Sequence, residues 1–341
     1  MSSQLDKIEA TLKQNQGIID QDVLTAVYEQ KLFKCFLPQS LGGLGLNVKQ
    51  TLQVIEDCAA IDGSLGWLIQ IGNGGNYFAP LYEASVTEQL FSPPNAVLAG
   101  SGAATGVATK AGGGYRVNGK WAYCSGADYA TFFTANCQIA DTTDIIACTF
   151  MREQVRIVPD WNAVGLQQTS THTIEVQDAF VPDELTFVLD LKKCLQNEPV
   201  FQVPFVPFAQ LFIIKVLHGI FRAFLAAADT VRSDNKSRWQ PARLQTLEDK
   251  LLGAGDYLSQ ALSKCNELAE QLTYPTDTEK TEQTAETAKE LTRQNTTIVR
   301  EAQEIFRLSG MQVLYRNHPL SARYLDLLCA GQHSLLHNTG R

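Results

Sequence analysis

GGGYRVNGKWAYCSGADYATFF, from Gly112 to Phe133, is the stretch on which the fold turns. Its three glycines favour a turn, and Tyr115–Tyr123 after them is rich in aromatic residues, as suits a strand on a pleated, half-buried surface. A second run of the same character starts at Ala130 and reaches Cys137. Short strands separated by glycine-bearing turns announce antiparallel β-structure. Outward from this centre, further strands are expected at Ala96–Ser101, Ile145–Phe150, Val155–Val158 and Thr171–Phe180. Together they make a small β-barrel or sandwich over residues 95–190.

Both flanks carry the helical period instead. On the N-terminal side Leu5, Ile8 and Leu12, then Val23, Val27 and Leu32, recur at three-to-four spacing. PQSLGGLGL (Pro38–Leu46) interrupts with a turn, and Leu52, Val54, Ile55 and Cys58 resume an apolar face. Asp62-Gly63-Ser64 caps a further helix bearing Trp67, Leu68 and Ile71. On the C-terminal side the period returns at Phe205 and yields one long stripe through Leu244, Leu247, Leu251, Leu258, Leu262, Cys265, Leu268 and Leu272. Leu291, Ile298 and Ile305 mark a next helix, and Leu325, Leu328 and Leu335 a last one, with Tyr274–Thr284 an exposed link between the middle two. The reading is a helical domain (1–94), a β-domain (95–190) and a four-helix bundle (191–341).

Composition excludes several classes of function. The chain has 341 residues, of which 45% are hydrophobic, enough to bury large cores. Its net charge of -8, with no lysine or arginine stripe, leaves nucleic acid without an electrostatic footprint. No run is read as approaching the roughly 20 apolar residues of a membrane span, and the polar start MSSQLDKIEATLKQ does not look like a signal peptide. A cytoplasmic location is therefore expected. Eight cysteines without a CxxC pair or a Cys/His ligand spacing suggest reduced, mostly buried thiols and no metal site.

Four stretches resemble the acyl-CoA dehydrogenase superfamily, most closely its flavin-dependent monooxygenase branch. They are LPQSLGGLGL followed by IEDCAAIDGSLGW (37–46 and 55–67), the opening stretch 112–133, PDWNAVGLQQTSTHTIEVQDAFVPDE (159–184) and YRNHPLSARYLDLLCAGQH (315–333). Their order and spacing cover nearly the whole chain. The resemblance implies an α+β multidomain protein with an N-terminal helical domain, a middle antiparallel β-barrel or sandwich and a C-terminal four-helix bundle. It further implies a flavin, FAD or FMN, and a homo-oligomer, dimer or tetramer.

On the matching positions the resemblance places Tyr123, Cys124, Ser125 and Gly126 beside the isoalloxazine, with backbone N–H groups and the Ser125 hydroxyl bonding the ring edge. Ser101 and Thr105, from the preceding strand and turn, are second candidates. Taken without the resemblance, Ser125-Gly126 reads first as a turn satisfying its own backbone. The dehydrogenases' glutamate motif on the last helix is absent; AGQHSLLHN (330–338) sets Gln332, His333 and Ser334 there. His333 suits a monooxygenase, since an imidazole near its ordinary pKa of about 6.5 can donate a hydrogen bond or take a proton from a phenol at neutral pH. His337 lies one turn on, nearer the surface. Trp67 could wall the substrate pocket with Gln332, or belong to the core. Lys236 and Arg238 in SDNKSRWQ are the candidate phosphate partners, whereas Glu304 in QEIFRLSG sets an anion where a diphosphate would lie.

Three functions follow in order. The first is a two-component monooxygenase that hydroxylates a small aromatic molecule using O2 and reduced flavin from a separate reductase. The second is an acyl-CoA dehydrogenase or oxidase with its base elsewhere. The third is a family member that binds no flavin.

Overall fold

The computed structural model describes residues 2–189, 199–273, 280–315 and 317–337. Cys194, the 190/191 boundary and residues 274–279 of the proposed link lie outside them. The chain divides into two compact units, one of Met1–Asn47, Leu68–Asn162 and Gln167–Gln202, the other of Val48–Trp67, Ala163–Leu166 and Val203–Arg341.

Five helices come first: α1 (Ser2–Gln14), α2 (Gln21–Glu29), α3 (Val48–Ile61), α4 (Gly63–Asn76) and α5 (Ala84–Phe91). Of these, α3 and the start of α4 up to Trp67 group with the second unit. Asp20 caps α2, its side chain accepting from the Asp22 and Val23 N–H groups. Asp62 does the same for α4, accepting from Leu65 N at 2.9 Å, as expected from its sequence. In the Pro38–Leu46 turn, Gly43 passes so close to the Leu37 carbonyl that a Cβ would come to 2.0 Å, which only glycine allows.

Seven strands complete the first unit: β1 (Leu98–Ala111), β2 (Gly114–Cys124), β3 (Phe132–Ile139), β4 (Ile145–Met151), β5 (Arg156–Val158), β6 (His172–Pro182) and β7 (Thr186–Phe187). They form one sheet in the order β5-β6-β2-β1-β3-β4-β7. Two expectations are corrected here. The sheet is mixed, not purely antiparallel, because β1 and β3 run parallel. Trp121, Phe133, Phe150, Ile174 and Val181, from strands on either side of its middle, share one core cluster, so the sheet curls around them.

The second correction concerns β1, which continues through Ala111 instead of ending at Ser101. Its small residues leave space for the indole of Trp121. A Cβ on Gly106 or Gly119 would meet that ring at 2.2 or 2.3 Å. Gly106→Ala is therefore expected to destabilise the protein by about 1–3 kcal/mol through overpacking. An unchanged denaturant midpoint would show that the ring can move aside.

The second unit is a helical bundle of α6 (Phe205–Asp234), α7 (Pro241–Thr273), α8 (Lys280–Leu308) and α9 (Pro319–Ala330), with α3 packed on α6. Leu247, Ala254, Leu258, Ala261, Cys265 and Leu268 form the buried seam of α7, and Leu291, Ile298 and Ile305 that of α8. The expected fourth long helix is short. Chain reversal at Gly331 puts Leu335 in a separate 3-10 turn, Ser334–Leu336, and the buried positions are Leu320, Leu327, Ala330 and Leu336. The sequence reading also underrated α6, which is long and apolar enough to cross a membrane by length and composition. It is apolar because most of its apolar stretch is buried inside the protein.

Several charged and polar groups inside this bundle are paired. Lys215 and Glu56, 1% and 2% exposed, form an ion pair at 2.6 Å, and Arg222 bridges Glu56 (2.9 Å) to Asp57 (2.7 Å). His218 donates from Nε2 to Gln294 Oε1 at 3.0 Å, and burial, with Lys215 nearby, lowers its pKa to about 3, so it is neutral.

Candidate active site

In the first unit the candidate residues stand where β2 ends. Tyr123 is left-handed (φ 62°) and 76% exposed, and Gly126 is also left-handed (φ 79°), so the chain leaves the sheet in a tight reversal. This reversal packs on the segment before β6. Gly126 N–H donates to Thr169 O at 2.8 Å, Ala127 N–H to Ser170 O at 3.1 Å, and Ser125 N–H back to Tyr123 O at 3.1 Å. The N–H groups of residues 125–127 are thus engaged within the protein. The Ser125 side chain remains. Its hydroxyl, nearly buried, lies 2.9 Å from Thr171 Oγ1, which lies 2.7 Å from Thr169 Oγ1, a line of three buried hydroxyls.

Cys124 contributes no side chain to this surface. Its thiol is in the sheet's core, and burial pushes its pKa up to about 12. Thr105 donates its hydroxyl to Lys120 O at 2.7 Å, and Ser101 lies in the β-bulge opposite β3. His172, given no role from sequence, accepts the Trp161 N–H on Nδ1 at 3.0 Å and so anchors the loop before β6.

In the second unit, Trp67 and His333 come together, ring centroids 5.8 Å apart and planes inclined at 55°. Far apart in the chain, they meet because α4 begins beside the turn that follows α9. His333 caps that turn, with Nδ1 accepting from Leu335 N–H at 3.3 Å. In the neutral ring the proton therefore sits on Nε2. Burial foremost, then the neighbouring His337, lowers the His333 pKa to about 4. This corrects the expected value near 6.5. At neutral pH His333 is an uncharged Nε2–H donor, and its Nδ1 is already occupied, so the base role weakens while the donor role stands.

Asp326 on α9 was missed, since nothing in its spacing sets it apart. Its Oδ1 accepts the Leu166 N–H at 2.7 Å, and Gly63 lies so close that a Cβ would come within 2.6 Å of Oδ2. Burial, aided by Asp62 and opposed by the Leu166 N–H and Arg323, raises its pKa to about 7. The folded protein then keeps a proton that the unfolded chain releases above about pH 4, so stability falls as pH rises from about 4 to 7. Asp326→Asn keeps the acceptor and removes the titration. Its stability relative to the parent is expected to grow between about pH 5 and pH 8, and parallel profiles in urea melts would contradict the assignment.

The remaining candidates are dispersed. Gln332 is exposed just after α9, and Lys236 and Arg238 are exposed just after α6. Glu304 is ion-paired with Lys250, which holds its carboxyl below the usual range. The cation needed to relieve an anion near a phosphate is therefore already present. His337 donates from Nε2 to Gly331 O at 2.8 Å.

No protein-family model matches the sequence. Indole-3-acetate monooxygenase of Pseudomonas putida is 32% identical over 213 residues, 62% of this chain and 54% of that protein. The match thus spans about half the length of that relative. Among solved structures, 3-HSA hydroxylase from Rhodococcus sp. RHA1 aligns with a TM-score of 0.84 at 21% identity, covering 98% of this chain and 92% of that one. XiaF from Streptomyces sp., in complex with FADH2 and glycerol, aligns with a TM-score of 0.83 at 19% identity, covering 98% and 91%. The chain shares the fold of these two solved structures. Over part of its length the chain is similar in sequence to flavin-dependent monooxygenases.

Proposed function

We propose that this protein is the oxygenase component of a two-component flavin-dependent monooxygenase, hydroxylating a small aromatic substrate with O2 and reduced flavin delivered by a separate reductase. The observation that carries the reading is the Trp67–His333 pair, an aromatic wall beside a half-buried, neutral imidazole whose Nδ1 is engaged and whose proton therefore sits on Nε2. Relatives of this chain are monooxygenases, which favours oxygen insertion over dehydrogenation of a thioester. A three-domain layout at 1–94, 95–190 and 191–341 and assembly as a dimer or tetramer belong to the same proposal.

The residues present fit a flavin. In the first unit the Ser125 hydroxyl, beside Thr171 and Thr169, suits the polar edge of an isoalloxazine as donor or acceptor. Bound reduced flavin supplies the electrons that activate O2. The chain's own part is to exclude water and to hold hydrogen-bond donors in place. Trp67 offers an apolar face to a flat substrate, and His333 presents a proton at Nε2 that stays there across the neutral range.

Flavin reduced beforehand, FMN and FAD in parallel, is mixed with the protein and air-saturated buffer containing indole-3-acetate or a panel of simple phenols. Product carrying one 18O atom from 18O2 is the expected result. Anaerobic bleaching of protein-bound oxidised flavin by an acyl-CoA, with no oxygenated product, would replace this reading by the dehydrogenase one. Calorimetry that detects neither flavin, oxidised or reduced, would replace it by a non-catalytic role.

A further inference from the structure

The turn that carries His333 is held from outside itself. α9 ends at Ala330, and the chain reverses through Gly331 into Ser334–Leu336. The carbonyls of Gly331, Leu335 and Leu336 thereby fall outside the regular ladder of the helix and need other donors. His337, the titratable neighbour of His333, reaches Gly331 O from Nε2 at 2.8 Å, and two side-chain amides supply further donors. Asn295 on α8 donates from Nδ2 to Gly331 O at 3.0 Å and reaches Leu336 O at 3.5 Å, while Gln210 on α6 donates from Nε2 to Leu335 O at 2.7 Å. The two ends of the turn are thus tied to two different helices.

Packing alone does not account for these amides. Asn295 and Gln210 are 3% and 4% exposed, and among the described residues neither Asn295 Oδ1 nor Gln210 Oε1 has a hydrogen-bond partner. Leucine or methionine would fill the same space without an unsatisfied buried carbonyl oxygen, which is destabilising. What the amides accomplish is to fix the backbone on either side of His333. Gly331 is part of the same fitting, because a Cβ there would come within 3.0 Å of Asn295 Oδ1 and of Leu327 O.

We propose that Asn295 and Gln210 are positioning residues for His333, clamping both ends of its turn so that the imidazole stays beside Trp67 with Nε2 as its donor. The inference rests on the reading of His333 given above. A clamped turn keeps the ring half-buried against Trp67 and in one tautomer. A released turn exposes it to water, and its protonation then returns toward that of an ordinary histidine.

Protein labelled with 15N at histidine rings and side-chain amides tests this by NMR titration. In the unaltered chain the NH2 signals of Asn295 and Gln210 should shift at the His333 midpoint, near pH 4. Signals flat through that midpoint overturn the inference whether or not any variant folds. In Asn295→Leu and Gln210→Met the His333 midpoint should rise by about one pH unit or more, with both tautomers visible. His218, buried in the same bundle, stays neutral and reports that the fold is intact. An unchanged His333 in both variants also overturns the inference. His333→Ala separates the two levels of argument. Undiminished hydroxylation by that variant removes the functional reading and leaves the NMR result standing, whereas an inactive His333→Ala combined with a His333 indifferent to positions 210 and 295 removes the positioning inference alone.

Discussion

His333→Ala is expected to lower the yield of hydroxylated product by about a hundredfold or more, the range for losing one preorganised donor at a reacting centre. Oxidation of reduced flavin by O2 should continue, with hydrogen peroxide released in place of product. Because the His333 pKa lies near 4, its Nε2 proton does not titrate across the neutral range. The rate of hydroxylation should therefore show no inflection from this residue between about pH 5.5 and pH 8. His333→Gln, which retains an N–H donor, should recover part of the yield. An inflection near pH 6.5 that vanishes with His333→Ala would mean that the ring is wetter than the structure has it, and that it acts as an acid or base. Unaltered yield would remove His333 from the site altogether.

Lys215→Met should destabilise the bundle by about 3–5 kcal/mol, the penalty for leaving one partner of a buried ion pair uncompensated. Glu56 is 2% exposed and would keep only Arg222, whose own side chain is 42% exposed and is shared with Asp57. The attraction lost matters less than the carboxylate left behind in an apolar interior. Adding Glu56→Gln to Lys215→Met should accordingly recover a good part of the loss, since the charge then disappears with its partner. The check is a set of urea or guanidinium unfolding curves for the two single variants and the double. If the losses are merely additive, the pair is not coupled and the account of this core is wrong.

Local patterns carried much of the fold. Every strand expected from β-branched and aromatic runs is present, the Gly112-Gly113 turn joins β1 to β2, and Asp62 caps α4. Such features are legible because they depend on neighbours in sequence. The misses share the opposite dependence. The continuation of β1 through a run of alanines and glycines requires the Trp121 ring from another strand, and the parallel pairing of β1 with β3 is a long-range choice that alternation does not encode. α3 reads as one more N-terminal helix, yet its apolar face and its Glu56 are matched by α6.

For the candidate site the division is similar. Residue types and order along the chain determined the family resemblance, the marking of Ser125 and His333, and the absence of a glutamate on the last helix. Tertiary structure alone decided that Trp67 stands beside His333, that backbone donors at 125–127 are already committed to Tyr123 and the segment before β6, and that Lys250 neutralises Glu304. It alone also decided the state of the imidazole. A pKa is a property of the surroundings that replace water around a group, and those surroundings are assembled from residues whose distance in the chain says nothing about their distance in space.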